Sequence, residues 1–358
     1  MKTVPPIFSL ILVLMVFTIL SREVVAQNPG KGRGDLRIMF YNVENLFDTL
    51  DDPETRDEEF LPDSERYWTK NRYLTKLNNL CKVIIAIGGW EPPEIVGLCE
   101  VENRDILNDL VNHTPLSKYQ YRIIHRDSPD ERGIDVAMIY LDKYFKVQNI
   151  KYIPVENPGD PTFKTRDILY VKGFFPDGDT LHLFINHWPS RSGGQLETEP
   201  LRVLAASILR REISAVSANE PHAKVILMGD FNDTPEDRSI KDVLDAAMEF
   251  DNVEPDRLYN LSSADNTWQV KGSHKYQMSW DMLDQFIVSG SLIMNQDTMY
   301  VREDNFNVFA PDFLLEKDES NLGLKPFRTY VGFRYQNGFS DHLPVYLDIW
   351  KAADHTPR

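Results

Sequence analysis

The sequence predicts an α/β fold in which two mainly antiparallel sheets pack together with helices on their outer faces. Three observations carry this. Short apolar stretches recur from Asp35 to Trp350, some joined by turn signals and others separated by segments of helical period. Hairpin-joined strands argue for antiparallel pairing, whereas a doubly wound parallel sheet needs a helix at each crossing. No Pro/Gly/Ser linker, repeat or low-complexity tract divides the 358 residues, so one large domain is expected after a leader.

The leader is residues 1–26. Lys2 supplies the positive start, Ile7 to Leu20 is an apolar core short for a bilayer span, and Val24-Val25-Ala26 offers a cleavage site before Gln27. Ser21-Arg22-Glu23 ends the apolar run, which favours a cleaved signal peptide over an anchor. Export to the periplasm or the exterior is therefore expected, with no stable membrane association afterwards. Residues 27–34 read as a flexible N-terminus, 35–351 as the domain and 352–358 as a tail.

Asp35 to Asn42 reads as the first strand, and Asp48 to Glu59 as an acidic loop. Thr69 to Ile87 has helical spacing through Leu74, Leu77, Leu80, Val83, Ile84 and Ile87, ending at Gly88-Gly89. Ile95 to Cys99 is a short apolar strand. Tyr119 to His125 and Ile134 to Tyr140 flank the turn-rich SPDERG. Asp167 to Phe175 and Thr180 to Asn186 straddle Pro176-Asp177-Gly178-Asp179, a hairpin signal. Pro200 to Val216 reads as an amphipathic helix, followed by strands at Lys224 to Met228, Leu283 to Val288 and Val345 to Trp350.

The net charge is −16, and without the leader, which carries Lys2, Arg22 and Glu23, it becomes about −17. Such a chain is poorly suited to tight nonspecific nucleic-acid binding, which needs Lys and Arg against phosphates. It does not exclude an enzyme that touches a phosphodiester transiently through a metal. Two cysteines make no disulfide framework; Cys81 in a helix and Cys99 in a strand read as buried free thiols.

Polar residues recur where apolar strands end. RIMFYNVEN places Asn42 there, IVGLCEVEN Glu100, LHLFINHWPSR His187, and VILMGDFND Asp230 and Asn232. Asp284 opens the strand LDQFIVS, and Asp341-His342 precedes the last strand in GFSDHLPVYLDI. A buried carboxylate is costly unless paired, and each site alone is weak, a lone strand-end polar residue being more often solvated or surface-packed than catalytic. Six with complementary chemistry are hard to attribute to solvation.

NVEN, CEVEN, NHWPSR, GDFND, LDQFIVS and SDHLPV, in this order, resemble the endonuclease/exonuclease/phosphatase superfamily, from about Leu36 to Trp350. The resemblance implies a four-layer α/β/β/α sandwich over residues 35–351. It implies Glu100 as the main metal carboxylate, Asn42 orienting it and the phosphate, and Asp341 in the metal or structural shell. His187 is then the histidine at the scissile phosphate, Asp230 the group that positions or deprotonates water, and Asn232 its phosphate-binding neighbour. Asp284 orients His342.

The chemistry makes sense of these types independently. Attack on an anionic phosphodiester needs a nucleophile made at neutral pH and a cation to take up charge. Hard oxygen ligands without a Cys/His cluster favour Mg²⁺, with Mn²⁺ or Ca²⁺ as alternatives. A histidine held by an aspartate has a fixed tautomer and a raised pKa. Gly229 lets the backbone pass close by, and Asp233 and Thr234 read as caps of a following helix.

Arg126, Arg132 and Arg191 lie in loops beside the motifs, able to bind phosphate or to form surface ion pairs; Arg132 and Arg191 are the candidates carried forward as substrate contacts. Trp68, Trp188 and Trp268 read as core rather than base-stacking groups. The acidic run Asp51, Asp52, Asp57, Glu58 and Glu59 reads as a solvated loop, its spacing unlike an EF-hand. The reading that results is an exported, monomeric, metal-dependent phosphodiesterase, a nuclease in the first place. A phosphatase or phospholipase-type relative is the alternative. Against it stand the absence of a PAWCDR-like stretch, with SWDMLDQFIVS in its place, and of an apolar docking hairpin. A catalytically dead binding module would lack one of Glu100, His187, Asp230 or His342, and all are present.

Overall fold

The computed structural model describes residues 33–89, 91–263, 270–294 and 299–351. The leader, the tail and Trp268 lie outside these.

In chain order the strands and helices are β1 (Leu36–Leu46), α1 (Lys70–Gly88), β2 (Ile95–Val101), α2 (Arg104–Asn112), β3 (Arg122–His125), β4 (Asp135–Tyr140), β5 (Lys146–Ile153), β6 (Ile168–Phe174), β7 (Thr180–His187), α3 (Gln195–Asn219) and β8 (Val225–Asp230). Then follow β9 (Ala246–Ala247), β10 (Leu258–Asn260), β11 (His274–Tyr276), β12 (Ser279–Asp281), β13 (Asp284–Ser289), β14 (Met299–Tyr300), β15 (Phe306–Val308), β16 (Leu315–Lys317), β17 (Leu324–Pro326), β18 (Tyr330–Val331), β19 (Arg334–Tyr335) and β20 (Val345–Lys351).

One large sheet runs β14-β20-β1-β2-β4-β3, with β15 also on β20, and the other runs β5-β6-β7-β8-β13-β10-β9. Both are mixed. β1 pairs β2 in parallel and β7 pairs β8 in parallel, and α1 and α3 make the two crossovers. A parallel pair needs such a crossover because its strands run the same way. Most pairings in both sheets are antiparallel, as the sequence predicts, and each sheet also holds one parallel βαβ unit near its centre. The consequence is geometric: β1, β2, β7 and β8 all end on the side where their helices begin.

β8 shows why VILM is a continuous apolar run. Ile226 and Met228 pack into the larger core with β1 and β2, while Val225 and Leu227 pack into the second core under α3 with Ala205, Ala206 and Leu209. A strand covered on both faces has no polar side to alternate with. Where the sheets meet, a Cβ on Gly97 would lie 2.9 Å from the Met228 methyl. Cys81 and Cys99 are buried free thiols, and Trp68 and Trp188 are core residues.

The structure departs from the sequence reading in several places. β1 continues four residues past Asn42. α3 begins at Gln195 rather than Pro200, so the proline sits inside the helix. β5, α2 and the hairpins between Leu315 and Tyr335 have no counterpart in the sequence expectation. Asp233 is not a helix cap: it accepts from Ser239 Oγ at 2.6 Å and pairs with Arg202 Nε at 2.7 Å. The helical turn that follows, Ser239–Val243, has no side-chain cap, and Thr234 instead donates its amide to Asp237 at 2.7 Å within the turn before it. Asp51, Asp52, Glu58 and Glu59 are exposed as expected of a solvated loop, but Asp57 is buried.

Arg202, with no exposed surface, also donates to Thr198 Oγ and the Gln195 carbonyl. It locks α3 to the turn after β8. Arg202→Met leaves buried Asp233 with only Ser239 Oγ and the more distant Arg191 Nη2 at 3.7 Å, and is expected to cost about 3 kcal/mol in denaturant unfolding; a loss below about 1 kcal/mol would show that the pair holds nothing.

Candidate active site

Because the ends of the two βαβ units face one way, their last residues converge. His187 is the Cα partner of Asp230, and Asp230 is in turn the partner of Asp284. Gly229 is required in this row: a Cβ there would sit 2.4 Å from the Asn186 carbonyl oxygen.

Asn42 lies between the sheets. Its Nδ2 donates to Asp230 Oδ2 at 3.0 Å and to Glu100 Oε1 at 3.3 Å, and its Oδ1 accepts from the Glu44 amide at 3.0 Å. Glu100 Oε2 accepts from the Asn45 amide at 2.8 Å, and Asp230 Oδ1 from the Asn232 amide at 2.9 Å. His187 Nε2 stands 3.8 Å from both Glu100 Oε1 and Asp230 Oδ2. His342 Nε2 is 3.8 Å from Asp230 Oδ2, while its Nδ1 meets Asp284 Oδ2 at 2.6 Å. Glu100, His187, Asp230 and His342, spread over the chain, thus share one centre. Glu44, Asn45, Glu100 and Asn232 hold φ between 49° and 62°, a conformation that costs energy outside glycine.

Burial pushes the Asp230 carboxyl up to about 7, against the pull of His342 and the Asn232 and Asn42 hydrogen bonds. For His342, burial favours the neutral ring, but Asp284 and Asp230 outweigh it and raise the imidazolium well above its ordinary range. His187 moves the other way: burial, with the charges of Arg166, Arg132 and His342, keeps it neutral. Among the described residues its Nδ1 has no hydrogen-bond partner.

Asp341 is beside His342 but turned to Arg328, whose Nη2 it holds at 2.9 Å. Burial would raise its carboxyl; Arg328, His342, His274 and Lys76 bring it down to about 2. Glu44 shares Arg328, accepting from Nε at 3.1 Å, and takes the Thr329 amide at 2.7 Å. Lys76, buried on α1, donates to Thr329 Oγ and to the Phe339 carbonyl. Glu44, Arg328 and Lys76 escaped the sequence reading. Glu44 stands in the NVEN motif next to Asn42, but β1 leaves regular strand geometry there, and the other two carry no local signal.

Of the arginines, Arg191 forms ion pairs rather than standing free for phosphate. It donates to the Asn232 carbonyl at 2.7 Å, Asp281 at 3.1 Å and Asp237 at 2.9 Å, which clamps the GDFND turn. Arg126 is paired with Asp167. Arg132 is half exposed, its Nε 3.8 Å from Asp130. Asn232 turns its Nδ2 to the Trp188 carbonyl at 3.0 Å. Contrary to the expectation of no apolar hairpin, β11–β12 exposes Tyr276 and Met278, and β18–β19 exposes Val331 and Phe333.

The donor set suits a hard divalent cation. Glu44, Glu100, Asp230, Asp284 and Asp341 crowd together against the cations of Arg328, Lys76 and His342. The excess is negative, the ligands are oxygen, and Glu100 is the partly exposed member of the Asn42-bridged pair.

His274 packs against His342, ring centroids 4.7 Å apart and planes tilted by 37°. Burial and the His342 charge lower its pKa to about 4. The unfolded chain then binds the proton preferentially below about pH 6.5, so stability falls as pH drops from 6.5 to 4. His274→Asn should lessen the fall in melting temperature between pH 7 and pH 4.5, a contribution of about 3 kcal/mol at most. Parallel pH profiles for the two proteins would refute it.

Among curated proteins none shows significant sequence similarity. Solved structures share the fold. An endonuclease/exonuclease/phosphatase family protein from Bacteroides thetaiotaomicron superposes with TM-score 0.55 at 14% identity, covering 90% of this chain and 98% of that one. The human Nocturnin catalytic domain with bound sulfate gives 0.51 at 18%, covering 88% and 94%. A mannosyl-6-phosphatase from Bacteroides thetaiotaomicron gives 0.53 at 14%, covering 88% and 99%. The family model of the endonuclease/exonuclease/phosphatase family matches residues 37–351, and the chain belongs to that family of phosphoester-hydrolysing enzymes.

Proposed function

We propose that the protein is an exported, monomeric, divalent-metal-dependent phosphodiesterase that cuts DNA or RNA through transient contact. The observation that carries this is the convergence of Glu100, His187, Asp230 and His342 from two sheets on one centre.

Asp230, poised near neutrality by burial, is suited to take the proton of an attacking water, since a general base works best near the operating pH. The Asn42 amide and the Asn232 amide fix both its oxygens. His342, kept cationic by Asp284, donates a charged hydrogen bond to a nonbridging phosphate oxygen. His187 stays neutral and offers a second donor as charge builds in the transition state. Glu100, with Asn42 orienting it and Glu44 and Asp341 alongside, would hold Mg²⁺. When bound, that ion supplies positive charge to the phosphate and acidifies water. Arg132 is the arginine free enough to reach the substrate.

A second reading, a phosphatase or phospholipase-type enzyme acting on an inositol phosphate or sphingomyelin-like headgroup, is favoured by the apolar hairpin tips and by the −16 net charge.

Glu100→Gln, His187→Ala and His342→Ala should each lower kcat on bis-p-nitrophenyl phosphate roughly a hundredfold or more, with folding intact by circular dichroism. Near wild-type turnover in two of the three would sink the assignment. EDTA should abolish activity and Mg²⁺ restore it; equal rates in EDTA would remove the metal. Incubation with plasmid, single-stranded DNA, RNA, inositol phosphates and sphingomyelin decides the substrate. Turnover confined to the last two would replace the nuclease reading.

A further inference from the structure

Beside Glu44 lies a cavity that no step above uses. It measures ≈ 240 Å³, and Glu44, Phe60, Arg66, Trp68, Arg328 and Tyr330 line it. It adjoins the reaction centre, because Asn45, also in its wall, donates to Glu100, and Arg328 holds Glu44 and Asp341.

Its chemistry differs from that of the centre. The centre is crowded with carboxylates, whereas the wall of the cavity carries two guanidiniums and one carboxylate, with Glu59 and Asp341 as further partners of the two arginines. Arg66 is built in: its Cζ lies 5.0 Å from the Phe60 ring centroid and 5.3 Å from those of Tyr330 and Phe333. Its Nε and Nη2 both face Glu59 Oε2 and its Nη1 the Gly332 carbonyl, all at 2.9 Å. Three rings around it restrict where the guanidinium can sit. Arg328 commits Nε and Nη2 to Glu44 and Asp341, and its Nη1 has no partner among the described residues. The uncommitted Nη1 of Arg328 offers a phosphate a direct, oriented hydrogen bond, and Arg66, held across the cavity, would share its charge with Glu59. The volume is below that of pockets for drug-sized ligands, about 300–1,000 Å³, and fits one ring with its substituents. Aromatic walls offer that ring a stacking surface.

We propose that this cavity receives a single ring bearing a second phosphate, placed next to the phosphoester being cut. The proposal rests on the phosphoesterase reading and narrows it. A ring inside a duplex would have to unstack to enter, so chain ends and small bisphosphates become the better substrates. The ring is then either a phosphorylated nucleotide end or a phosphorylated sugar.

The test compares substrates with and without the second phosphate. Dithymidylate is measured with and without a 5′-phosphate, glucose 1,6-bisphosphate against glucose 6-phosphate, and bis-p-nitrophenyl phosphate reports the centre alone. In the pair that matches the source, the second phosphate should raise kcat/KM at least tenfold. Arg66→Ala should erase that preference through KM while bis-p-nitrophenyl phosphate turnover stays within twofold, and Arg66→Lys should retain part of it. No preference in either pair, or an equal loss on all substrates, overturns the proposal. Preference in the sugar pair with no dinucleotide cleavage keeps the cavity and removes the nuclease reading. Tryptophan emission titrated with the two doubly phosphorylated compounds reads occupancy without turnover, since Trp68 lines the cavity. Binding at least tenfold weaker in Arg66→Ala is expected, and no binding to the wild-type chain overturns the proposal.

Discussion

One side-chain amide holds the centre together. Glu100 belongs to one sheet and Asp230 to the other, and two carboxylates this close repel in a medium that screens poorly. Asn42 Nδ2 bridges them, so each gains a hydrogen bond from the same group. The amide is oriented in turn, with the Glu44 N–H on its oxygen and Ser340 Oγ on its backbone carbonyl at 2.7 Å. A carboxylate at position 42 would repel both, and an apolar side chain would leave the two facing each other with no donor between them. The left-handed residues at 44, 45, 100 and 232 are the backbone cost of bringing four chain segments to one amide.

Around that amide, charge is organised in shells of opposite character. The buried Arg202–Asp233 pair fastens the outer helix to the turn after β8, and Arg191 fastens the same turn from the other side. Neither touches the reaction centre, yet both fix where Asp230 and Asn232 stand. On the first sheet, Lys76 and Arg328 do the corresponding work. A lysine buried under Thr329 and Phe339 ties the segment before β20 to α1, and Arg328 carries that segment onto Glu44 and Asp341. Loops are thereby given the rigidity that positioned groups need.

The overall acidity does not conflict with an anionic substrate, because the field that matters is local. Carboxylates gathered at the centre suit a cation, and the guanidiniums beside them suit an anion. A long polyanion meets the whole negative surface and is repelled in low salt. A compact substrate meets mainly the cavity and the centre. That balance is consistent with the small volume next to Glu44 and with apolar hairpin tips at β11–β12 and β18–β19.

Periodicity and turn signals alone determined the core strands, the two long helices and the residues at strand ends, because those depend on local pattern and on short-range chemistry. VILMGDFND announces a doubly covered strand ending in acid and amide wherever it folds. The parallel pairing at the centre of each sheet, the bridge at Asn42 and the neutral state of His187 were decided only by tertiary structure, since each depends on which distant segment comes alongside. The same holds for Asp233, which is a cap by local spacing and a buried ion-pair partner by virtue of Arg202. Arg191 looks like a phosphate contact in NHWPSR until Asp237 and Asp281, far along the chain, take its donors. Lys76 and Arg328 had no signal at all: a basic residue on a helix or in a loop is ordinarily solvated, and only the packing of residues 327–340 against α1 buries the one and aims the other.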